Sequence, residues 1–338
     1  MKAARFHQHG APDVLRYEDA PDPEPAPGRA IVQVRACALN HLDLWQRRGL
    51  ERVRIPMPHI SGADVAGEIV DGAGAFMAGT RVMIQPGVSC GRCEKCLAGC
   101  DNECPSYDVL GYQSDGGYAG FVSVPVDNVL PIPDQVDFVS AAAFPLTFMT
   151  AWHMLLTRAS LQAGDVVLVI AGGSGVGQAA IQIAKLHGAR VFATSGPGKM
   201  EQARAIGAED VFDHYEGDNS KRIRAATGNR GVDIVVEHVG EATWDRSLRS
   251  LARCGRVVTC GATTGPRGAV DLTHLFARQL AILGSYMGRK SELVEAAEQF
   301  FENRLTPVID EVLPLAQARA AHERLESGRQ FGKIILTP

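Results

Sequence analysis

The sequence VVLVIAGGSGVG occupies residues 166–177 and places a glycine-rich turn directly after an apolar run. An unbroken apolar run such as 166–171 is typical of a central strand in a parallel sheet. Glycines permit a tight turn there and let backbone N–H groups approach a pyrophosphate at the positive end of a following helix. The usual motif has glycine at the place of residue 174, where this chain has serine. We predict that this turn binds a dinucleotide, through Gly172, Gly173, Ser174, Gly175, Val176 and Gly177.

Strands and helices alternate along the chain after this turn. Strands are predicted at 190–194, 211–212, 232–236, 256–260 and 280–283, and helices at 175–187, 199–206, 221–226 and 242–252. This alternation predicts an α/β fold with a doubly wound parallel sheet. One long helix is predicted at 140–156, and two helices and a final strand, 333–336, after residue 292.

Short strands predominate in the first 130 residues. They are predicted at 31–34, 66–70, 81–84 and 121–126, with glycine and proline between them. Such spacing indicates an irregular β-barrel. Asn40 is a good N-cap and predicts a helix that starts directly after it. A length of 338 residues agrees with two domains, which the change of pattern near residue 139 separates.

Charge and hydropathy exclude several classes of protein. The net charge of −4 is unlike that of a protein that neutralises nucleic-acid phosphates. The apolar runs are far shorter than the about 20 residues of a membrane helix, and the N-terminal residues lack the apolar core of a signal peptide. We therefore expect a cytoplasmic protein that binds neither nucleic acid nor membranes.

Five of the eight cysteines lie within residues 90–104. Four thiolates at these spacings suit a tetrahedral, closed Zn²⁺ site, which leaves no position open for a substrate. We predict one structural Zn²⁺ per chain in a lobe at about residues 88–105, bound by Cys90, Cys93, Cys96 and Cys104. The remaining thiols are predicted to be a bystander in the lobe, Cys100, and three buried small hydrophobic residues, Cys37, Cys254 and Cys260.

The end of the second predicted strand bears on the choice of dinucleotide. An acidic residue about 20 positions after the glycines would bind the ribose 2′-hydroxyl of NAD. Here the strand ends at Thr194 and Ser195, without that acid, and Lys199 follows. Ser195 and Lys199 are therefore predicted to hold the 2′-phosphate of NADP(H).

Several segments in order resemble the medium-chain dehydrogenase/reductase superfamily. They are SGADVAG at 61–67, GTRV at 79–82, the glycine-rich turn, and FGKIIL at 331–336. The resemblance covers nearly the whole chain, and within the superfamily the sequence is similar to quinone-oxidoreductase-type proteins and related zinc-binding alcohol dehydrogenases. It implies a GroES-like catalytic domain, 1–146 and 288–338, that carries the zinc lobe, and a Rossmann NADP(H)-binding domain, 147–287.

The same resemblance implies further roles for individual residues. It places Thr150 beside the nicotinamide and His214 near the adenosine phosphate. It also implies a homodimer or homotetramer in which the strand at 280–285 joins its counterpart in a second subunit.

The positions of the family's catalytic zinc ligands are where this sequence departs from the pattern. Alcohol dehydrogenases of the superfamily bind that zinc through a Cys, a His and a second Cys or acid. The resemblance places Asn40 at the first position, Ala63 at the second and residues 145–147 at the third. We therefore expect no catalytic zinc of the usual kind. An unorthodox metal site is an open alternative, formed by His41, Asp43, His59 and Asp64.

Zinc-free relatives transfer a hydride from NADPH to a quinone or an activated C=C bond. The resemblance therefore predicts a reductase of quinones, enones or similar small electrophiles, in which hydrogen-bond donors stabilise the developing negative charge on the substrate oxygen. In this hypothesis Asn40 donates to that oxygen or positions the nicotinamide, His41 relays a proton, and Asp43 orients its neighbours. Two alternatives stay open: an alcohol or aldehyde dehydrogenase with an altered metal site, and a non-catalytic nucleotide-binding sensor or structural protein.

Overall fold

The computed structural model describes residues 1–50, 53–71 and 74–338. They divide into two compact units. The first unit consists of Met1–Leu146 and Arg289–Pro338, and the second consists of Thr147–Gly288. Within the described residues, none of the helices has both the length and the apolar character needed to cross a membrane.

Short strands make up most of the first unit. Before the crossover these are β1 Lys2–Arg5, β2 Arg16–Asp19, β3 Arg29–Ala38, β4 Asp64–Ile69, β5 Arg81–Ile84, β6 Gly87–Val88, β7 Asp108–Val109, β8 Phe121–Pro125 and β9 Val129–Pro131. The helices of this part are α1 His41–Arg48, α2 Glu94–Leu97 and α3 Phe138–Ala143. The chain then passes to the second unit through α4 Pro145–Trp152, which continues as a π-helical segment, His153–Arg158.

Strands and helices alternate in the second unit. They are β10 Val166–Val169, α5 Gly175–Leu186, β11 Arg190–Ser195, α6 Met200–Ala205, β12 Asp210–Asp213, α7 Asn219–Ala226, β13 Val232–Glu237, α8 Trp244–Ser250, β14 Leu251–Thr259, α9 Leu272–Ala277 and β15 Ala281–Gly284. The chain returns to the first unit with α10 Lys290–Phe301, β16 Ile309–Pro314, α11 Ala318–Glu326 and β17 Lys333–Thr337. Short 3₁₀ turns lie at Pro12–Val14, Asp101–Glu103, Val126–Asn128, Pro197–Lys199 and Leu315–Gln317.

The six strands of the second unit form one parallel sheet in the order β12-β11-β10-β13-β14-β15. The four residues of β10 are completely or almost completely buried, as expected of a central parallel strand with helices on both faces. The chain runs outward from β10 in one direction and then returns to the other side with β13. The predicted α/β fold with a doubly wound parallel sheet is therefore confirmed.

The principal sheet of the first unit has the order β16-β17-β3-β4-β5-β9, with β8 also paired to β3. Strand β3 is antiparallel to β4 on one side and to β17 on the other. Its alternating apolar side chains, among them Val32 and Val34, are buried in the core of this unit. The pairing matters for function because it places the ends of β3, β4 and β17 next to one another.

Three local predictions were wrong, and one strand of the returning segment was missed. The expected helix 140–156 is interrupted after α3, because Pro145 lacks the N–H of a continuing helix and starts a new one. The expected helix 242–252 ends at Ser250, because Leu251 already belongs to β14. Strand β16 was not predicted. Cys254 is exposed rather than buried, and it lies in the left-handed region of the backbone with φ of 60°.

Substitution of Gly67 in β4 tests the close packing of β3 against β4 in the principal sheet of the first unit. A methyl group there would overlap the carbonyl oxygen of Gln33 in the adjacent strand. We expect Gly67→Ala to destabilise the protein by about 1–3 kcal/mol, because two paired backbones would have to separate. Gly198→Ala is the control, since the carbon added there has no neighbouring atom within 4 Å and the backbone does not have a positive φ. Thermal unfolding of both variants measures the difference, and equal losses would contradict this account.

Candidate active site and metal centre

The carboxylate of Asp64 is the point at which four segments of the first unit meet. Its Oδ2 accepts hydrogen bonds from Asn40 Nδ2 at 2.9 Å and from Lys333 Nζ at 2.9 Å. Its Oδ1 accepts from the backbone N–H of Leu146 at 2.8 Å. Asp64 is fully buried, so these donors replace the water that an exposed carboxylate would bind.

The sheet explains why these residues converge. Ala38, the last residue of β3, pairs with Asp64 at the start of β4. On the other side of β3, the N–H of Leu39 donates to the carbonyl of Ile334 at 2.9 Å. Asn40 therefore follows β3 directly at the point where β4 and β17 both begin.

Lys333 is a buried cation in this cluster. Only 2 % of its surface is exposed, and its ammonium donates to Asn40 Oδ1 at 2.7 Å as well as to Asp64. A buried lysine requires such an anionic partner, because an unpaired charge in the interior is strongly destabilising. The sequence analysis quoted Lys333 only as part of the FGKIIL segment and assigned it no role. The signal was a lysine at the head of an otherwise apolar strand.

Asp43 is a second buried carboxylate, in the first turn of α1. Its Oδ2 accepts from the backbone N–H of Asn40 at 2.8 Å and from the Tyr118 hydroxyl at 2.7 Å. Burial raises the pKa of Asp43 to about 6, although these two hydrogen bonds and the charge of Lys333 act to lower it. The two groups that Asp43 holds in place are therefore the backbone of Asn40 and the hydroxyl of Tyr118. Tyr118 was missed, because a tyrosine between small residues carries no distinctive sequence signal.

The residues proposed for an unorthodox metal site do not converge. His59 is buried and its Nε2 lies 3.0 Å from the carbonyl oxygen of Gly111. Asp43 and Asp64 each have their own donors, and His41 is half-buried at the start of α1. Across residues 1–50, 53–71 and 74–338, the only group of three or more metal-binding side chains of these kinds is the cysteine cluster.

The positions that hold a catalytic zinc in alcohol dehydrogenases of the superfamily do not fit that ion here. Ala63 offers no ligand atom. The oxygen of the Asn40 carboxamide already accepts from an ammonium group, which would repel a second cation. Asp64 is likewise neutralised by Lys333.

The four predicted zinc ligands are close together in the lobe. The Sγ atoms of Cys90, Cys93, Cys96 and Cys104 all lie within 4.8 Å of one another. The Cys93–Cys96 and Cys90–Cys96 separations are 3.5 and 3.9 Å. Tetrahedral Zn²⁺ with sulfur ligands at about 2.3 Å needs separations of about 3.8 Å, so the cluster fits the ion. Cys100 is outside this group, and its Sγ lies 3.9 Å from the carbonyl oxygen of Ala98.

The environment of the first lobe cysteine favours a thiolate. Backbone N–H groups of Arg92 and Cys93 lower the pKa of the Cys90 thiol to about 6. Thiolate is the form that binds a metal ion. Gly91 and Gly99 have positive φ values of 70° and 73°, a conformation that glycine adopts without steric cost and that lets the loop turn.

The glycine-rich turn shows why serine is suitable at position 174. Ser174 is the N-cap of α5, and its Oγ accepts a hydrogen bond from the N–H of Gly177 at 2.9 Å. Its φ of −77° needs no glycine. The left-handed residue of the turn is Ala171, with φ of 51°. A side chain at Gly177 would overlap the carbonyl oxygen of Ala171, and one at Gly172 would come within 2.9 Å of Ile181 Cδ1.

The rest of the predicted turn has a geometry that suits an anion. Gly173 is buried, whereas Gly175 and Val176 are half-buried in the first turn of α5. This helix has twelve residues, and its free N–H groups and dipole attract a pyrophosphate. The close packing at Gly172 and Gly177 lets helix and strand approach, which fits a dinucleotide cofactor.

The residues predicted for the adenosine phosphate surround the end of β11. Ser195 is buried, while Lys199 and His214 are half-buried. Burial lowers the pKa of His214, and the charges of Lys199 and Arg246 lower it further. Arg246 was not predicted; its guanidinium donates to backbone carbonyls, including that of Ala242 at 2.8 Å.

Thr150 has a different environment, within α4. It is 4 % exposed, and its Oγ1 has no hydrogen-bond partner in the described part of the chain. A buried hydroxyl without a partner is costly, which fits a group that is completed by a polar ligand.

Comparison with known proteins agrees with this geometry. Residues 26–134 match the family model for the alcohol dehydrogenase GroES-like domain, and residues 175–303 match that for zinc-binding dehydrogenases. Rat quinone oxidoreductase is 30% identical over 355 residues, with 99% of this chain and 97% of the relative covered. An NAD-dependent alcohol dehydrogenase from Sulfolobus acidocaldarius is also 30% identical, with 99% of both chains covered.

A solved structure described as an NAD-dependent alcohol dehydrogenase is 44% identical, covers both chains completely and has a TM-score of 0.97. Together with the family matches, this likeness confirms the GroES-like and Rossmann-type architecture. The chain is similar over its full length to both quinone oxidoreductases and alcohol dehydrogenases, so the family to which it belongs includes both kinds of enzyme. The chain belongs to the medium-chain dehydrogenase/reductase superfamily of oxidoreductases.

Proposed function

We propose that this protein transfers a hydride from NADPH to a quinone, an enone or a similar small electrophile without a catalytic metal ion. The observation that carries the proposal is the Asn40–Asp64–Lys333 cluster. By the resemblance, Asn40 and Asp64 fall in segments that carry the zinc ligands of alcohol dehydrogenases, and with Lys333 they satisfy one another's charges and hydrogen bonds. The cluster supplies amide and ammonium donors but no ligand set for a Lewis acid.

This donor set suits conjugate reduction. When a hydride reaches the β-carbon of an enone, negative charge develops on the carbonyl oxygen, and hydrogen-bond donors stabilise it. Asn40 Nδ2 uses one N–H on Asp64, and within the described residues its second N–H has no acceptor. We assign that second N–H to the substrate oxygen or to the carboxamide of the nicotinamide. Oxidation of a simple alcohol depends more strongly on a metal, which stabilises the alkoxide.

The acidic and basic neighbours of Asn40 complete the proposed site. Asp43 fixes the backbone at Asn40 through the capping hydrogen bond and holds the Tyr118 hydroxyl. His41, half-buried beside Asn40, is assigned the proton relay, because imidazole gains and loses a proton near neutral pH. Thus Asn40 is the proposed donor and Asp43 is a positioning residue.

The second unit supplies the proposed cofactor site. The turn at residues 172–177 and the N-terminus of α5 would hold the pyrophosphate, with Lys199 and His214 near the 2′-phosphate. The partnerless Thr150 Oγ1 would gain a polar contact with the nicotinamide part. When bound, NADPH supplies the hydride.

A second candidate is NAD-dependent alcohol oxidation. It is favoured by the 44% identical structure and the 30% identical Sulfolobus relative, both of which are named for that activity. Against it stands the absence of a suitable ligand set at Asn40 and Ala63.

We also propose that the chain forms a homodimer through the edge strand β15. This strand lies at the end of the parallel sheet, with Ile282 37% exposed. The nearby side chain of Tyr286 is 57% exposed. An exposed edge with apolar side chains is suited to pairing with a second copy.

The reaction is tested with two panels. We expect the protein to oxidise NADPH in the presence of quinones or enones, with a rate that brief treatment with a chelator leaves unchanged. Asn40→Ala should lower kcat about 100-fold, the usual cost of removing one donor to a developing oxyanion. Thermal unfolding checks that the variant folds. Chelator-sensitive oxidation of alcohols with NAD⁺, and none of the first activity, would instead establish the second candidate.

The cofactor preference is tested at Lys199. Lys199→Ala should raise KM for NADPH about tenfold, because a hydrogen bond to a charged phosphate is lost. KM for NADH should stay unchanged, since NADH lacks this phosphate. Lys221→Ala, an exposed lysine in α7, is the control and should change neither value. A wild-type preference for NADH would overturn the assignment of NADPH.

The lobe is tested by metal analysis. We expect one Zn²⁺ per wild-type chain and per Cys100→Ser chain, because Cys100 lies outside the cluster. Cys104→Ser should lose the metal and unfold at a lower temperature, since a structural zinc site contributes directly to folding. Two zinc ions per wild-type chain would contradict the proposed metal-free active site.

A further inference from the structure

The cluster at Asp64 reverses the charge arrangement of a metal site. Three segments that hold the catalytic zinc ligands in alcohol dehydrogenases of the superfamily do converge here, at Asn40, Asp64 and Leu146. Asn40 Nδ2 and the Leu146 N–H both donate to the Asp64 carboxylate, whereas ligands of a metal site would present lone pairs to a cation. The cation comes from a fourth segment, as the ammonium of Lys333.

Lys333 determines how the Asn40 carboxamide is oriented. An ammonium group is only a donor, so the amide atom 2.7 Å from Lys333 Nζ must be the oxygen. An ionised carboxylate is only an acceptor, so the atom 2.9 Å from Asp64 Oδ2 must be the nitrogen. The two bonds therefore exclude the flipped amide, in which an NH₂ would face the ammonium.

The side chains of Asn40, Asp64 and Lys333 form a closed ring of hydrogen bonds. Lys333 binds both Asn40 Oδ1 and Asp64 Oδ2, and Asn40 Nδ2 binds the same Asp64 oxygen. Lys333 and Asp64 are almost completely buried, and Asn40 is 8 % exposed. Asn40 is thus the least buried of the three residues, and its second amide N–H has no acceptor within the described residues.

We propose that Lys333 is a positioning residue of the active site, whose ammonium takes the place of a metal ion and holds the Asn40 carboxamide with its nitrogen as the donor. The proposal rests on the proposed function in one respect: it gives the oriented N–H to the substrate or the nicotinamide. Lys333 itself does not touch the reacting atoms.

A double-mutant cycle in kcat for quinone reduction by NADPH tests this. Lys333→Met should lower kcat about tenfold, because the amide is free to rotate out of its orientation. If Lys333 acts through Asn40, adding Lys333→Met to Asn40→Ala should cost nothing further. Lys333→Arg keeps the charge and should recover part of the activity. Multiplicative losses in the double variant would overturn the proposal.

The variant Lys333→Met leaves Asp64 as an unpaired buried charge and is at risk of unfolding. The variant Lys333→Met with Asp64→Asn removes both charges and avoids that penalty. It should melt close to the wild type and still lose kcat about tenfold, since neither fixing group remains. Wild-type kcat in this folded variant would overturn the proposal.

Hydrogen exchange of the Asn40 side-chain amide can be measured without enzymatic turnover. It therefore tests the role of Lys333 independently of the proposed function. The ¹⁵N side-chain resonance of Asn40 is identified by its disappearance in Asn40→Ala. In the wild type the amide proton that Asn40 donates to Asp64 should exchange slowly with solvent, and in Lys333→Met with Asp64→Asn it should exchange at least about tenfold faster. Unchanged exchange would refute the orientation by Lys333. Absence of quinone and enone turnover, with accelerated exchange, would refute only the proposed function.

Discussion

The buried ion pair between Lys333 and Asp64 is the interaction on which the first unit's candidate site depends. Each partner alone would be an unpaired charge in the interior, which costs several kcal/mol. Together, and with the amide of Asn40 and the N–H of Leu146, they satisfy one another at 2.7–2.9 Å. Asn40 is consequently held by two charged groups of opposite sign. Hydrogen bonds to these groups, in addition to packing, orient its carboxamide.

The same balance of charges distinguishes the Asp64 cluster, which does not suit a metal ion, from the cysteine lobe, which does. At Asp64 an ammonium already neutralises the carboxylate, so an additional divalent ion would meet a net repulsion. In the lobe four thiols lie within 4.8 Å of one another, and deprotonated thiols at such distances repel each other until a cation is shared. The first unit therefore contains a lobe suited to a structural metal ion and a second cluster in which Lys333 supplies the positive charge.

The sequence was sufficient for the elements with a strong periodic or motif signal. The apolar run at 166–171 predicted the central strand, and the spacing of Cys90, Cys93, Cys96 and Cys104 predicted the cluster of thiols in the lobe. Lys333 and Tyr118 were missed because their roles depend on partners distant in sequence. Strand β16 was missed because its burial is only partial. Cys254 was misjudged because its residue type indicates neither its exposure nor its left-handed backbone conformation.

The separation between Asn40 and Lys333 has a consequence for biosynthesis. The two residues are 293 positions apart, and the whole second unit is encoded between them. On the ribosome, strands β3 and β4 emerge long before β17, so Asp64 can pair with Lys333 only after the whole second unit has been synthesised. The second unit, in contrast, is continuous and can complete its sheet earlier. Closure of the first unit is thus a late step, whose long-range pairing is entropically slow to form.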